Sequence, residues 1–401
     1  MIDNGAGNRA VVVCAVGRTH NGGMETLLEI TPQQAFERQA AGIRLIDLRG
    51  LDERRHGQAA HVQSIALEAL LDDPVAVLPD RGESLLLICA RGARSLRAVQ
   101  ALREAGFTDV QSVAGGTQAW REAGLPMETP SVTPEESDFL ERYSRHFRLP
   151  QVGEAGQRRL QASRVLIIGA GGLGSPVAFY LAAAGVGHIR LVDDDVVDRS
   201  NLQRQVLHTD ASVGARKVDS ARERLLALNP QLDLETVATR ATPANIDALM
   251  DGVDVVVDGS DNFPLRYLLN DACIKHAKPL VYAAIERFSG QVSVFDAGRH
   301  RGQCPCYRCL FPEPPMGDEA PNCAEAGVLG VLPGIAGLLQ ATEVLKLLLG
   351  IGEPLSGRLL RFDALGMHFR ESRVRPDPLC TMCAPGTDFP GYIDYAAFCS
   401  A

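Results

Sequence analysis

Two pairs of cysteines have the spacing of metal ligands. Cys306-Tyr-Arg-Cys309 and Cys380-Thr-Met-Cys383 are both C-x-x-C pairs, and a long segment separates them. Two such pairs can form a closed tetrahedral thiolate site for a structural Zn²⁺ ion. The alternatives are two unrelated pairs or a single redox pair. Cys304 could compete for the metal, but the C-x-x-C spacing favours Cys306 and Cys309.

A further cysteine opens a short loop that could stabilise an anionic sulfur. Cys89 follows the apolar run Leu85–Ile88, and the loop continues through Arg91, Gly92 and Arg94. Backbone N–H groups, a helix N-terminus and two arginines lower a thiol pKa and favour a thiolate or persulfide. A buried cysteine at a strand end is the simpler interpretation, but it leaves the glycine and the arginines unexplained.

Cys323 lies between a Pro-rich segment, 312–321, and an apolar stretch at 335–349. A cysteine on such a loop would be exposed and could reach a bound acyl group. From the residue alone, an ordinary free cysteine is the favoured interpretation.

The run Val165–Ser175 predicts a strand, a glycine-rich turn and the start of a helix. Its motif G-x-G-G-x-G lets the backbone approach a phosphate, to which the helix N-terminus presents free N–H groups. Asp193, at the end of the next predicted strand, suits a ribose hydroxyl. This pattern alone fits a dinucleotide enzyme about as well as an ATP enzyme.

Charged residues beyond the second and third strands favour a triphosphate. Arg204 and Lys217 follow Asp193, and two cations near a phosphate cradle suit the larger charge of ATP. Asp258 and Asp261 lie at the carboxyl edge of the sheet, where a carboxylate can hold Mg²⁺. Taken singly, each cation would be a solvated surface charge, and each aspartate a helix cap. The order of the whole set favours a nucleotide site.

From Arg142 to Cys383 the chain resembles the ThiF/MoeB family of adenylyltransferases, relatives of the ubiquitin-activating enzymes. The residues that carry the resemblance are Arg142-Tyr-Ser-Arg145, Gly169–Gly174, Ser200–Gln205, Lys217, Asp261-Asn262, Cys306-x-x-Cys309, Cys323–Val328 and Cys380-x-x-Cys383. The resemblance implies ATP, Mg²⁺, Zn²⁺ and a small β-grasp sulfur-carrier protein that ends in Gly-Gly.

The resemblance also implies a role for individual residues. It assigns the ribose to Asp193, the metal ion to Asp261 and the phosphates to Arg204 and Lys217. Arg145 would reach into the partner subunit's site, which implies a homodimer. The expected nucleotide-binding set is Gly169, Gly171, Gly172, Gly174, Asp193, Asp195, Ser200, Asn201, Leu202, Gln203, Arg204, Lys217, Asp261 and Asn262. The expected catalytic set is Cys89, Cys323, Arg145 and Asp261.

The segment from Thr26 to Leu125 resembles the rhodanese family. The matching features are the loop C-x-x-G-x-R at Cys89, Asp47-Leu-Arg49, and Gly115-Gly-x-x-x-Trp120. A departure is Ala60-His-Val-Gln-Ser64, where the family usually has a Gly-His-Ile-Pro-Gly type of turn. The resemblance implies that Cys89 carries a persulfide.

Strands and helices alternate in both segments, which predicts an α/β fold. We expect a small rhodanese-like α/β domain, then a Rossmann-like and mostly parallel sheet with late antiparallel strands and a zinc staple. The expected domains are a disordered leader at 1–24, a rhodanese-like domain at 25–126, a Pro-rich linker at 127–137 and an adenylyltransferase domain at 138–401. Met24 could be the true start in place of Met1.

The composition argues against some classes of partner. With 401 residues, a net charge of -9 and a sequence pI of about 5.5, the chain lacks the basic face that nucleic acid or an anionic membrane requires. No apolar run approaches the roughly 20 residues that span a bilayer. The cysteine positions do not suggest a disulfide framework, so we expect a cytoplasmic protein.

The expected function is ATP-dependent adenylation of the carrier's Gly-Gly carboxylate, followed by sulfur transfer from a Cys89 persulfide to give a thiocarboxylate. One alternative is an NAD-linked oxidoreductase with the same glycine loop, which would leave the Arg, Lys and Cys sets without a role. Another is a carrier-binding scaffold with a silent rhodanese domain. The sulfur donor could be a cysteine desulfurase or thiosulfate. The pathway stays open among molybdopterin, thiamine, tRNA thiolation and siderophore types.

Overall fold

The computed structural model describes residues 28–314 and 327–400. The chain divides into two compact units, the first reaching Leu140 and the second beginning at Glu141. The expected leader at 1–24 and Cys323 lie outside the described residues.

The first unit is an α/β unit built on a parallel sheet. Its strands are β1 (Glu29–Ile30), β2 (Arg44–Asp47), β3 (Gln58–Ala59), β4 (Gln63–Ser64), β5 (Leu85–Ile88), β6 (Val110–Val113) and β7 (Met127–Glu128). Its helices are α1 (Pro32–Ala40), α2 (Leu51–Arg54), α3 (Leu67–Asp72), α4 (Pro74–Val77), α5 (Ala93–Glu104) and α6 (Gly116–Glu122). The sheet has the order β1-β6-β5-β2-β4, and β3 pairs with β7 in a separate antiparallel ribbon.

Alternate residues of the central strands of this unit enter two different hydrophobic cores. Leu86 and Ile88 of β5 pack with Trp120 on one face of the sheet. Leu85 and Leu87 pack with the apolar side of α5 on the other face. Both faces are therefore covered, as a parallel sheet requires, and the loop after β5 is held at the sheet's carboxyl edge.

The second unit carries the larger sheet. Helix α7 (Pro134–Arg142) crosses the boundary between the units, and α8 (Gly153–Ala162) follows it. The strands are β8 (Arg164–Ile168), β9 (His188–Val192), β10 (Asp233–Val237), β11 (Val255–Asp258), β12 (Leu280–Glu286), β13 (Ser289–Phe295), β14 (Arg358–Asp363) and β15 (His368–Arg373). The remaining helices are α9 (Gly174–Ala184), α10 (Lys217–Leu228), α11 (Ile246–Leu249), α12 (Phe263–Lys275), α13 (Tyr307–Leu310), α14 (Leu332–Leu349) and α15 (Tyr395–Ser400).

The larger sheet has the order β10-β9-β8-β11-β12-β13-β14-β15. The first five of these strands are parallel, and β12 to β15 pair antiparallel. On one face, Val165 and Ile167 of β8 pack with α9, α10 and α14. On the other, Leu166 and Ile168 pack with α11, α12 and α15.

The predicted fold class is confirmed, and so is the antiparallel pairing of the late strands. The sequence analysis missed β10, an edge strand with exposed polar residues at both Asp233 and Glu235. The segment predicted as a linker, 127–137, differs from a plain connection. It contains β7, which pairs with β3, and the start of α7. Helix α7 begins here because Thr133 accepts a hydrogen bond from Glu136 N–H at 3.2 Å.

Among the described residues, helix α14 is long and apolar enough to cross a membrane by length and composition. Half of it is buried inside the protein, where it packs against α9 and β12. Its Ala336, Ala341 and Val344 belong to the larger core of the second unit. The apolar composition of α14 is therefore explained by its place in that core.

Candidate functional site

A cavity of about 790 Å³ opens in the second unit at the carboxyl ends of β8, β9 and β11. This is the edge where ligands bind in open parallel sheets. The predicted residues that line it are Gly169, Gly171, Gly172, Asp193, Asp195, Arg204, Lys217, Asp261 and Asn262. The structure thus brings together nine residues that the sequence analysis selected from widely separated positions.

The glycine-rich turn enters α9 by a very close approach of the backbone. Gly169 has a φ of 102°, a left-handed value that favours glycine. A Cβ added to Gly174 would lie 1.8 Å from the carbonyl oxygen of Gly169, so no side chain fits there. Gly174 does not line the cavity itself. Its part is to set the first turn of α9 against the loop, whose N–H groups can then face a phosphate.

Ala170 of this turn is held at both its polar groups. Its N–H donates to Asp193 Oδ2 at 2.8 Å, and its carbonyl oxygen accepts from His208 Nε2 at 2.9 Å. The other ring nitrogen of His208 lies 3.0 Å from Ser220 Oγ. Burial lowers the pKa of His208, and the charge of Lys217 acts in the same direction. A neutral imidazole therefore supports the turn.

The two predicted cations differ in their surroundings. Lys217 is only 6% exposed, and its Nζ lies 2.8 Å from Asp195 Oδ2. Arg204 donates from Nη1 to the carbonyl oxygen of Ser200 at 3.2 Å and lines the cavity. A buried amide follows it. Gln205 is 5% exposed, and its Oε1 has no hydrogen-bond partner among the described residues. A buried polar atom of this kind at a cavity wall is available to accept a hydrogen bond from a ligand or a water molecule.

Asp258 ends β11 and Asp261 and Asn262 follow it, and of these three only Asp261 leaves its side chain to the cavity. Asn262 caps α12 by accepting from Leu265 N–H at 3.1 Å. Asp258 is buried, which raises the pKa of its carboxyl, and it binds the N–H and hydroxyl of Ser260. Within the part of the chain that the structure describes, no hydrogen bond or ion pair engages the exposed Asp261 carboxylate at the cavity edge. Its donor chemistry fits Mg²⁺.

Some predicted residues do not belong to the lining of this cavity. Among the described residues these are Gly174, Ser200, Asn201, Leu202, Gln203 and Arg145. The side chain of Asn201 instead closes a short helical turn, since its Oδ1 accepts from Asp198 N–H at 3.2 Å. Arg145 is exposed, just before the short helix His146–Arg148.

Other lining residues were missed by the sequence analysis. They include Gln205, the segment Thr239–Pro243, Ser260, Arg266 and the C-terminal residues Ile393–Ala396. Gln205 ends the run Ser200–Gln205 that carries the resemblance, and Ser260 lies between Asp258 and Asp261, so both could have been found by extending the selected set. The others lie after an unrecognised edge strand, inside a helix or near the C-terminus, and no local spacing marks them.

The four predicted metal ligands form one cluster. The Sγ atoms of Cys306, Cys309, Cys380 and Cys383 all lie within 4.8 Å of one another. Cys304 is not part of it. Four thiols that converge in this way fit a closed tetrahedral zinc site. Arg308, between the first two ligands, donates to both carboxylate oxygens of Asp271, at 2.9 and 2.8 Å.

The loop after β5 surrounds the sulfur of Cys89 with donors. Sγ accepts from Gly92 N–H at 3.2 Å, and from the N–H and hydroxyl of Ser95, each at 3.4 Å. Burial raises the pKa of the Cys89 thiol, but the hydrogen bonds of Ser95 and of the loop backbone outweigh it, and the pKa is lowered. This arrangement suits a thiolate or persulfide.

Arg94 of this loop is paired with a carboxylate. Its guanidinium donates to both carboxylate oxygens of Glu53, at 2.7 Å each. Its charge also interacts with Cys89. The main causes of the lowered pKa of Cys89 are the hydrogen bonds of Ser95 and of the loop backbone.

Comparison with known proteins agrees with both resemblances. Residues 143–382 match the ThiF family, and residues 31–123 match the rhodanese-like domain. The chain is 51% identical over 261 residues to a sulfur carrier protein adenylyltransferase of Thermus thermophilus, covering 65% of this chain and 96% of that protein. It is also 51% identical over 262 residues to the SAMP-activating enzyme E1 of Haloferax volcanii, covering 65% and 95%.

Two further similar proteins match over a smaller part of their length or at lower identity. An adenylyltransferase and sulfurtransferase MOCS3 of Sus scrofa is 49% identical over 267 residues, which cover 66% of this chain but 57% of that protein. Among solved structures, E. coli MccB bound to ATP has a TM-score of 0.52 at 19% identity, covering 67% of this chain and 85% of that one. At that identity the structural likeness shows the fold alone.

Proposed function

The chain belongs to the ThiF family and carries a rhodanese-like domain, and on that basis we propose that it adenylates a small sulfur-carrier protein and then transfers sulfur to it. The observation that carries the proposal is the pairing of two sites in one chain. One is a cavity with a glycine-rich turn, two cations and an available carboxylate. The other is a cysteine whose sulfur accepts three hydrogen bonds.

In the adenylation step, the C-terminal carboxylate of the carrier attacks the α-phosphorus of ATP. The bond from that phosphorus to the bridging oxygen breaks, and pyrophosphate leaves. A terminal carboxylate is already ionised at pH 7, so no general base is required. The attacking carboxylate and the phosphates are both negative, so the cavity must neutralise the phosphate charge. Arg204, Lys217 and the N–H groups of the glycine-rich turn supply the positive charge.

Two metal ions have separate tasks in this proposal. Asp261 would hold Mg²⁺, which supplies positive charge beside the phosphates. Its exposed and unengaged carboxylate at the cavity edge supports this role. The four clustered cysteines would hold Zn²⁺ as a structural ion. Their closed arrangement leaves no position for a substrate, so this site takes no part in the chemistry.

The sulfur step begins with a persulfide on Cys89, loaded from a donor such as thiosulfate or a cysteine desulfurase. Its terminal sulfur attacks the acyl carbon of the carrier adenylate, and AMP leaves. The product is an acyl disulfide between Cys89 and the carrier. A second thiol then attacks the Cys89 sulfur, which forms a disulfide and releases the carrier thiocarboxylate. Cys323 is our candidate for that thiol.

We propose the partners that the family resemblance implies. The carrier is a β-grasp protein with a C-terminal Gly-Gly, and the enzyme is a homodimer in which Arg145 enters the partner's cavity. The exposed position of Arg145, outside the cavity lining of its own chain, supports this arrangement. Persulfide and thiolate chemistry needs a reducing compartment, so we propose the cytoplasm.

Carrier-dependent ATP–pyrophosphate exchange tests the function. We expect exchange with a carrier that ends in Gly-Gly, and none with the same carrier shortened by its last glycine. Exchange without any carrier would contradict the substrate assignment. Hydride transfer from NADH in place of exchange would favour the oxidoreductase alternative, and carrier binding without exchange or sulfur transfer would favour a scaffold.

A further inference from the structure

The C-terminal tail, residues 389–400, reaches the nucleotide cavity after the last cysteine of the metal cluster. Four consecutive residues of it, Ile393–Ala396, line the cavity together with the glycine-rich turn and Asp193. None of the predicted site residues lies in this tail. It is therefore a wall of the site that the proposed chemistry has not used.

The second half of the tail is fixed to α12. Tyr395 is 4% exposed, and its hydroxyl donates to Asp271 Oδ2 at 2.9 Å. The ring of Phe398 meets Tyr267 edge-on, with 5.1 Å between centroids. The Arg308 guanidinium lies 5.1 Å from the Phe398 ring centroid while it pairs with Asp271. These contacts hold the backbone of the lining residues in one place.

The first half of the tail is fixed to α11 and to the end of α12. The hydroxyl of Tyr392 donates to Asp247 Oδ1, and Lys275 Nζ lies 4.8 Å from the Tyr392 ring centroid. Asp394 begins the last helix by accepting from Ala397 N–H at 3.0 Å. Ile393 therefore lies between two anchored tyrosines, and the tail has little freedom to withdraw from the cavity.

Ile393 is 42% exposed although it lines a cavity. When an apolar ligand surface covers a large exposed apolar side chain in a fixed wall, the burial lowers the free energy and favours binding. The lining of the same cavity also has the apolar residues Ala241, Pro243, Leu265 and Leu268. The tail brings no cation here, and the exposed Asp394 carboxylate would repel a phosphate.

The position of the tail in the fold agrees with this chemistry. The helices that anchor it pack on the face of the sheet opposite to α9, where the glycine-rich turn begins its helix. The phosphates would face that turn, and Asp193, the expected ribose ligand, accepts a hydrogen bond from Ala170 N–H in it. The part of a nucleotide that remains for the tail side is the flat, largely apolar base.

We propose that Ile393–Ala396 forms one wall of the nucleobase subsite, with the Ile393 side chain packed on a face of the purine ring. This inference deepens the proposed function and rests on it, because it requires ATP in the cavity. It makes Ile393 a binding residue, and it makes Tyr392 and Tyr395 positioning residues that hold it.

Titration calorimetry on the full chain without carrier tests the inference, with ATP, AMP and inorganic tripolyphosphate as probes. Ile393→Asn, a neutral polar change, should raise the Kd of ATP and AMP by the same factor, about tenfold, because both share the base. The Kd of tripolyphosphate should not change. Ile393→Val keeps an apolar surface and should stay within about twofold. Leu365→Asn, at a side chain that is 73% exposed in the β14–β15 turn, is the matched control and should bind all probes like the unchanged chain.

Unchanged Kd values for ATP and AMP in Ile393→Asn would overturn the inference while the proposed function stands. A raised KM for the carrier with unchanged nucleotide binding would also overturn it, and would assign the tail to the carrier. A weaker tripolyphosphate complex would show a phosphate contact instead of a base contact. If the unchanged chain does not bind ATP, the proposed function fails first and the inference fails with it.

Discussion

Lys217 and Asp195 form an ion pair of 2.8 Å in the wall of the cavity, although the lysine is buried and the aspartate side chain is 62% exposed. The pair holds the ammonium group in place before any nucleotide arrives. It also places a carboxylate beside the expected triphosphate. The net charge that this pair presents to the phosphates therefore depends on both residues. A double variant can measure what each contributes.

We predict that Lys217→Met lowers the rate of ATP–pyrophosphate exchange by about 10²–10³. The loss has two parts, the missing cation and an Asp195 carboxylate that now only repels phosphate. Lys217→Met combined with Asp195→Asn should regain about tenfold. Equal rates in the single and double variants would contradict a repulsive effect of Asp195.

We predict that Asp261→Ala abolishes exchange and leaves the melting temperature unchanged, because the exposed carboxylate supports the metal ion but not the fold. Asp251→Ala is the control, since this exposed aspartate lies before β11, at the opposite end of that strand. Exchange and the Mg²⁺ dependence should both be normal in the control. Normal exchange in Asp261→Ala would exclude Asp261 as the metal ligand.

One zinc ion per chain is expected from the cysteine cluster. Cys383→Ala should lose the metal and lower thermal stability, because a structural zinc site can contribute on the order of 10 kcal/mol to folding. Cys304→Ala is a close control, two residues from a ligand yet outside the cluster. Metal analysis and a melting curve of both variants decide the matter. Full stability of a metal-free protein would contradict the structural role.

The hydrogen bonds to Cys89 predict a particular pH dependence. Ser95 donates to the sulfur from its N–H and from its hydroxyl, and Ser95→Ala removes the hydroxyl, so it should raise the pKa of Cys89. The thiolate attacks thiosulfate, so the acid limb of sulfur transfer should move to higher pH in this variant. Cys89→Ser should abolish that transfer and keep ATP–pyrophosphate exchange. An unmoved acid limb would show that the hydroxyl does not stabilise the thiolate.

A mixed dimer tests the role of Arg145. Arg145→Ala and Asp261→Ala should each be inactive in exchange as homodimers. If Arg145 serves the partner's cavity, a heterodimer of the two variants should regain some activity, because one of its two cavities has both residues intact. Purification with two different affinity tags verifies the heterodimer. No recovery in verified heterodimers would argue against action in trans.

Much of the fold could be predicted because its central strands are short, buried and bounded by glycine or charged residues. The apolar run at Leu85–Ile88 became β5 with the same bounds. The missed β10 is an edge strand, and exposed edges carry polar residues that hide a strand pattern. Similarly, α15 is short and its packing depends on Tyr267 and Asp271, which are distant in sequence.

The site was predictable where residues follow a strand end, since the topology of a parallel sheet brings those ends together. Asp193 and Asp261 were found in this way. His208 could not be found, because its support of Ala170 depends on a contact across the fold. The pairing of Arg94 with Glu53 was missed for the same reason, since spacing alone shows the two charges and not the distance between them.

The contact of Gly174 with Gly169 has an evolutionary consequence. The obstacle at 1.8 Å is a backbone oxygen, so no rotation of a neighbouring side chain could make room for a methyl group. No substitution of this glycine can be neutral for as long as the turn keeps its shape. A descendant of this chain with any other residue there would have abandoned the present turn, and with it the N–H groups that we propose to face a phosphate.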